Sequence, residues 1–220
     1  MSHAAKVYLA VGLGLLSPAA FASQMQITGS TLPQPARVSA DGVQWSDLIR
    51  RAIDGDAASA ATVGKMYAHG TDVPHDVAEA MRWLSRAVEL GSIEARRELG
   101  LLLLRGEDTP KDADHAASLL RQAADAGDSQ AEAALGVMYA YGDGVPQDWG
   151  LAVDWSRRGA DQDNPWAQSN LGLYLESGRA GHPAPSQAAG WYRRAADQGF
   201  TLAQVRLGLL YERVSGYHRI

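Results

Sequence analysis

The chain has 220 residues, with 20 Lys and Arg against 25 Asp and Glu for a formal charge of −5, and 46% of it is hydrophobic. That acidic balance excludes the clustered basic excess of a nucleic-acid footprint, and the apolar content excludes a mostly disordered chain. The absence of cysteine excludes disulfides, thiolate metal sites and cysteine nucleophiles.

In chain order, residues 1–22 read as a secretory signal peptide. Lys6 supplies the positive start, Val7 to Leu16 an apolar run, Ser17-Pro18 a helix break, and Ala20-Phe21-Ala22 a small-x-small cleavage site. The run is about half of the roughly 20 apolar residues that span a bilayer. The expectation is therefore cleavage before Ser23, a periplasmic or secreted protein, and no transmembrane segment in the mature chain. Residues 23–45 carry prolines and small polar residues without a helical period and read as a flexible tether. Residues 46–55 are predicted to form an N-terminal capping helix.

From there an internal period governs the chain. Gly64, Gly100, Gly136, Gly172 and Gly208 stand 36 residues apart without a slip, the signature of a stacked repeat. Val63, Leu99, Leu135, Leu171 and Leu207 precede them. Tyr67, Leu103, Tyr139, Leu175 and Tyr211 follow three residues later. Gly70, Gly106, Gly142 and Gly178 then end a first helix as left-handed residues. Asp76, Asp112 and Asp148 open a second helix, where an acid meets the positive end of the dipole. That helix carries Ala80, Ala116, Ala152 and Ala188, then Trp83, Leu119, Trp155 and Trp191. Asp56, Ser92, Asp128 and Asn164 are N-cap residues for the first helix of each unit. A glycine within that helix costs up to about 1 kcal/mol against alanine, which is tolerable where a neighbouring helix must come close.

The third unit, Leu135-Gly136-Val137-Met138-Tyr139-Ala140-Tyr141-Gly142-Asp143-Gly144-Val145-Pro146-Gln147-Asp148, resembles the Sel-one-like repeat, a relative of the tetratricopeptide repeat. The resemblance covers four units, 56–91, 92–127, 128–163 and 164–199, followed by a half repeat at 200–220 that serves as a C-terminal cap. It implies an all-α fold, a right-handed α-solenoid of antiparallel helix pairs with a 36-residue period. The fourth unit departs from the pattern: its loop reads Arg179-Ala180-Gly181-His182-Pro183-Ala184-Pro185, losing both the Val and the Asp, and is expected to be the most mobile of the four. The lone helix of the half repeat either caps the stack or leaves an open face.

Catalytic chemistry is not written in the sequence. There is no His-Glu-x-x-His, Gly-x-Ser-x-Gly or P-loop. The histidines are spread over different units without metal-ligand spacing. The arginines of the second helices, Arg86, Arg121, Arg157, Arg158, Arg193 and Arg194, read as a solvated face laced by i,i+4 pairs such as Asp154 with Arg158, Arg157 with Asp161 and Arg193 with Asp197. No cofactor and no metal is expected. Some members of the resembled family hydrolyse β-lactams, but those are cysteine-rich, so a cell-wall or β-lactam hydrolase is the weakest reading.

If the stack is similar to tetratricopeptide arrays, its concave wall comes from positions three before and one, four and five after the column glycine. These positions give Lys65, Arg97, Leu101, Leu104, Arg105, Val137, Tyr141, Leu173 and Glu176, with Trp166 nearby: an apolar strip edged by charge, suited to a peptide. The resulting reading is a non-catalytic, exported scaffold that binds another protein or peptide of the cell envelope, as adaptor, regulator or assembly factor. The alternative is a structural protein that self-associates into a homo-oligomer through the open C-terminal half repeat.

Overall fold

The structure is a computed structural model that describes residues 45–179 and 181–216, the last three through their backbone. The expected leader and, up to Gln44, the expected tether lie outside the described residues, as does the chain end beyond Gly216. Ten helices and no strands occur among the described residues. The chain divides into two compact units between Ser92 and Ile93, and each is described by itself.

The first unit contains α1 (Trp45–Ile53), α2 (Ala57–His69) and α3 (Val77–Glu89). The apolar residues of α1 recur at helical spacing, so Leu48, Ile49 and Ala52 are buried while Asp47, Arg50 and Arg51 face solvent. Arg50 donates to the Asp47 carboxylate at 3.2 Å. Trp45 meets Tyr67 of α2 edge to face, 6.2 Å between ring centroids. Helix α1 thus covers α2 with its apolar side and finishes this end in charge. Asp56 caps α2 by accepting from the Ala58 N–H at 3.1 Å, and the Ser59 hydroxyl on the same carboxylate holds its pKa below the usual range. Burial pushes the Tyr67 phenol up to about 12, with the Glu79 and Asp76 charges adding to the effect.

The second unit alternates first and second helices: α4 (Ile93–Arg105), α5 (Ala113–Asp125), α6 (Ser129–Tyr141), α7 (Trp149–Asp161), α8 (Pro165–Ser177), α9 (Pro185–Asp197) and α10 (Thr201–Gly216). This is the expected all-α solenoid of antiparallel pairs. The column glycines mark where the pairs cross. A Cβ on Gly172 would stand 2.7 Å from the Tyr192 ring of α9, and one on Gly136 would sit 2.3 Å from Ser156 Oγ of α7. Gly100 meets Leu120 in the same way. The partner lies 20 residues later each time, so the period fixes both sides of the crossing.

Helix ends follow the expected chemistry. Gly142 sits at φ 72° and its N–H reaches Met138 O, closing α6 as a left-handed cap. Asp148 accepts from the Leu151 N–H at 3.0 Å and starts α7. Each loop from a first to a second helix in this unit is closed by one further backbone bond: Asp112 N–H to Leu103 O, Asp148 N–H to Tyr139 O, and Ala184 N–H to Leu175 O. The fourth loop therefore keeps its closing bond but loses the side-chain cap. Pro185 at the first helical position compensates, because it has no N–H to satisfy.

The second-helix arginines differ from the expected i,i+4 lattice. Arg158 turns across to Glu132 of α6 (3.1 Å) and to Ala124 O (3.2 Å). Arg194 reaches Asp163 at 2.7 Å, while Arg121 and Arg193 donate to the Tyr139 and Tyr211 hydroxyls. Arg158 and Arg194 also lie over the Trp155 and Trp191 rings. Arg158 and Arg121 find enclosed acceptors on the neighbouring helix, since Glu132 and Tyr139 are buried, whereas Asp163 and Tyr211 are exposed. Two further bonds, donated by glutamines, repeat with the period: Glu132 and Gln168, 36 residues apart and both buried, accept from Gln162 and Gln198 at 2.6 and 3.0 Å.

Candidate functional site

The first helices of the second unit bring their predicted wall residues into three columns. One residue after the column glycine stand Leu101, Val137 and Leu173, each half-buried. Four after it stand Leu104 and Glu176, also half-buried. Five after it stand Arg105 and Tyr141, both exposed. Apolar side chains that are neither buried nor free, next to exposed aromatic and cationic ones, form a surface with material to lose to a partner.

Three of the predicted residues are already engaged. Arg97 is only 14% exposed and bonds Asp128 Oδ2 at 2.6 Å and Glu98 at 2.8 Å. Burial alone would lower its pKa, but the two carboxylates outweigh that and hold it above the ordinary value. Arg97 is thus a strut to the N-cap of the next first helix rather than an edge of the wall. Its equivalent Ala133, which is fully buried in a cluster with Ala167 and Leu171, shows the same: the position three before the glycine faces the following repeat. Trp166 packs against that cluster too. Glu176 accepts from the Tyr192 hydroxyl at 2.9 Å and from Arg213 at 3.0 Å. Lys65 lies half-buried in the first unit.

An aromatic ladder at the end of the wall was not foreseen. Tyr141, 67% exposed, meets Trp149 edge to face at 6.4 Å, and Trp149 meets Tyr174 at 5.5 Å. The Arg179 guanidinium lies over the Trp149 ring at 4.8 Å. Tyr174 is buried and donates to Gly136 O at 3.4 Å; burial pushes its phenol well above the usual value. The ladder therefore has a fixed inner rung, a half-buried middle and an exposed outer one. The available signal was Trp149, which stands directly after the Asp148 cap where the other units have Val77, Ala113 and Pro185.

Helix α10 carries a second exposed surface. Its inner side is buried through Ala203 and Leu210 against Tyr192 and Ala195. Its outer side shows Leu202, Val205 and Leu209, at 51%, 54% and 54% exposure. A Cβ on Gly208 would meet nothing within 4 Å, as no described helix crosses there. Among the described residues no group of three or more His, Asp or Glu is placed to hold a metal ion, and no described helix is long and apolar enough to cross a membrane.

Comparisons with known proteins agree with this architecture. The Sel1 repeat family matches residues 57–92, 93–128, 129–164 and 167–200. A Sel1 repeat protein from Oxalobacter formigenes superposes with a TM-score of 0.67 at 28% identity, over 94% of this chain and 83% of that one. A protective antigen of uropathogenic Escherichia coli with an SLR fold gives a TM-score of 0.67 at 30% identity, over 89% of this chain but 41% of the antigen, so the chain spans about two fifths of its length. An immunity protein from Pseudomonas aeruginosa shares the fold at 20% identity, with a TM-score of 0.52 over 87% of this chain and 70% of that one. No curated protein matches.

Proposed function

The chain belongs to the Sel1 repeat family, whose members are in general non-catalytic protein–protein interaction scaffolds, and from that membership we propose that it is an exported scaffold that holds a partner protein of the cell envelope. The surface it uses is the wall of first helices in the second unit: Leu101, Leu104, Val137 and Leu173, with Arg105 and Tyr141 along the exposed edge. The observation that carries this reading is Tyr141, an exposed ring supported from behind by Trp149 and Tyr174 with Arg179 stacked beside them. Tyrosine, tryptophan and arginine held rigidly at a surface are the side chains that most often anchor an interface, since they bring large contact area at small entropic cost. The leader read at residues 1–22 supports export, and the scaffold character of the family supports an adaptor, regulator or assembly role.

The test is a cross-linked pull-down from the envelope extract of the source cell, run beside Leu101→Glu and Tyr141→Glu. A specific partner captured by the parent chain and lost in both variants is the expected result, with helical circular dichroism unchanged. Equal capture by all three chains would overturn the wall as the binding surface. Unfolding of Leu101→Glu alone would make Leu101 a core residue and leave Tyr141 as the anchor.

A further inference from the structure

Helix α10 is a first-type helix, and among the described residues no later helix packs against it. Within the second unit, the register three before the column glycine is turned toward the next repeat: Arg97 reaches Asp128, Ala133 packs with Ala167 and Leu171, and Ser169 is buried. Val205 occupies that register in α10 and is 54% exposed, with Leu202 and Leu209 beside it. These three side chains lie at i, i+3 and i+7, one stripe of a helix. The stripe continues an interface that the same unit already builds and is thus shaped to receive a helix of the first type.

The opposite end of the chain does not offer one. Helix α1 turns Asp47, Arg50 and Arg51 outward and buries its apolar side, so a head-to-tail contact would press an apolar stripe onto a charged cap and strip the water from those charges. The stripe, however, complements itself. About a two-fold axis midway between Leu202 and Leu209, an antiparallel copy sets Leu202 against Leu209 at both ends and brings the two Val205 side chains close together beside the axis. Such a two-fold contact uses one patch twice and closes after two copies.

We propose that the chain forms a closed two-fold dimer through α10, in which a second copy's α10 lies antiparallel across Leu202, Val205 and Leu209. This surface is separate from the Tyr141 wall, so two copies would present two partner-binding walls and raise the avidity for a repeated or clustered partner.

Sedimentation equilibrium of the full chain over a wide concentration range is the test. The parent chain should approach twice the mass of a single chain. Val205→Glu and Leu209→Glu should each return it to the single mass with unchanged helicity, since both positions are exposed. Because the chain has no cysteine, Val205→Cys introduces a lone thiol beside the two-fold axis. It should oxidise to a disulfide-linked dimer far faster than a thiol at Asp125→Cys, an exposed site on α5. A single mass at every concentration would overturn the proposal, whether the Val205→Cys thiol reacts freely or is shielded by another segment of the chain. So would a dimer that survives both charge variants, or a mass that grows without limit, which marks an open head-to-tail assembly.

Discussion

The two ends of the array finish in opposite ways. At the N-terminal end α1 lays Leu48, Ile49 and Ala52 onto its neighbour and turns acid and arginine to water, which is how a solenoid is kept soluble. At the C-terminal end α10 buries Ala203 and Leu210 on its inner side and leaves Leu202, Val205 and Leu209 in solvent. Helix α1 is amphipathic and its outer face is polar, whereas α10 carries apolar side chains on both its inner and its outer side. The difference teaches that a repeat unit is stable through what it stacks on, while what it offers outward is a separate choice made by three or four side chains.

Identical substitutions at the two ends sharpen that comparison. Leu48→Ala removes a buried side chain and should cost roughly 3 kcal/mol of unfolding free energy, read from denaturant titration of helicity. Leu209→Ala, at an exposed position, should move the same titration by less than about 0.5 kcal/mol while it weakens association. Equal costs at both ends would mean that the C-terminal face is covered in the isolated chain.

The column glycine gives the next largest contrast. Gly172→Ala drives a methyl group into the Tyr192 ring and should destabilise the fourth repeat by about 1–3 kcal/mol. Gly208→Ala, made in the monomeric Val205→Glu background, meets open space and should stabilise α10 by up to about 1 kcal/mol through helix propensity. A cost at both sites would show that a helix crosses Gly208 after all.

Smaller effects concern the interior struts and caps. Ala184→Asp restores the cap that α9 lacks and should add roughly 0.5–1 kcal/mol, measured as a shift in thermal midpoint. At Glu132, burial raises the carboxyl pKa above the ordinary value, opposed by the facing Arg158 guanidinium. The folded chain therefore holds this proton more tightly than the unfolded one, and stability falls as pH rises from the ordinary glutamate value through the raised one. Glu132→Gln copies Gln168 of the next repeat and should flatten that decline, the smallest of these changes. A pH profile unchanged by the substitution would assign the slope to other groups.

Much of this was legible in the residues themselves. The 36-residue spacing located the helix pairs, and the glycine inside each first helix announced a close crossing because nothing else justifies its cost there. Asp148 and Gly142 named their own roles, since caps act within a few residues of their position. The wall was legible in part: Leu101, Val137 and Leu173 share a half-buried register, whereas Arg97 was misplaced because its partner Asp128 lies in the next unit. Arg158 was misread for the same reason. Long side chains choose acceptors through space, and the sequence offers only the nearest ones along the helix.

By itself, then, the sequence determined the repeat, its length and the ends of its helices, all consequences of local chemistry repeated at a fixed interval. Only the tertiary structure decided which side chains the stack consumes and which it leaves to the solvent. It set Arg97 as a strut, built the ladder from Tyr141 through Trp149 to Tyr174, and left Val205 exposed in a register where earlier repeats are covered. Stacking brings together residues roughly one period apart, and burial is settled by that meeting rather than by the residue alone.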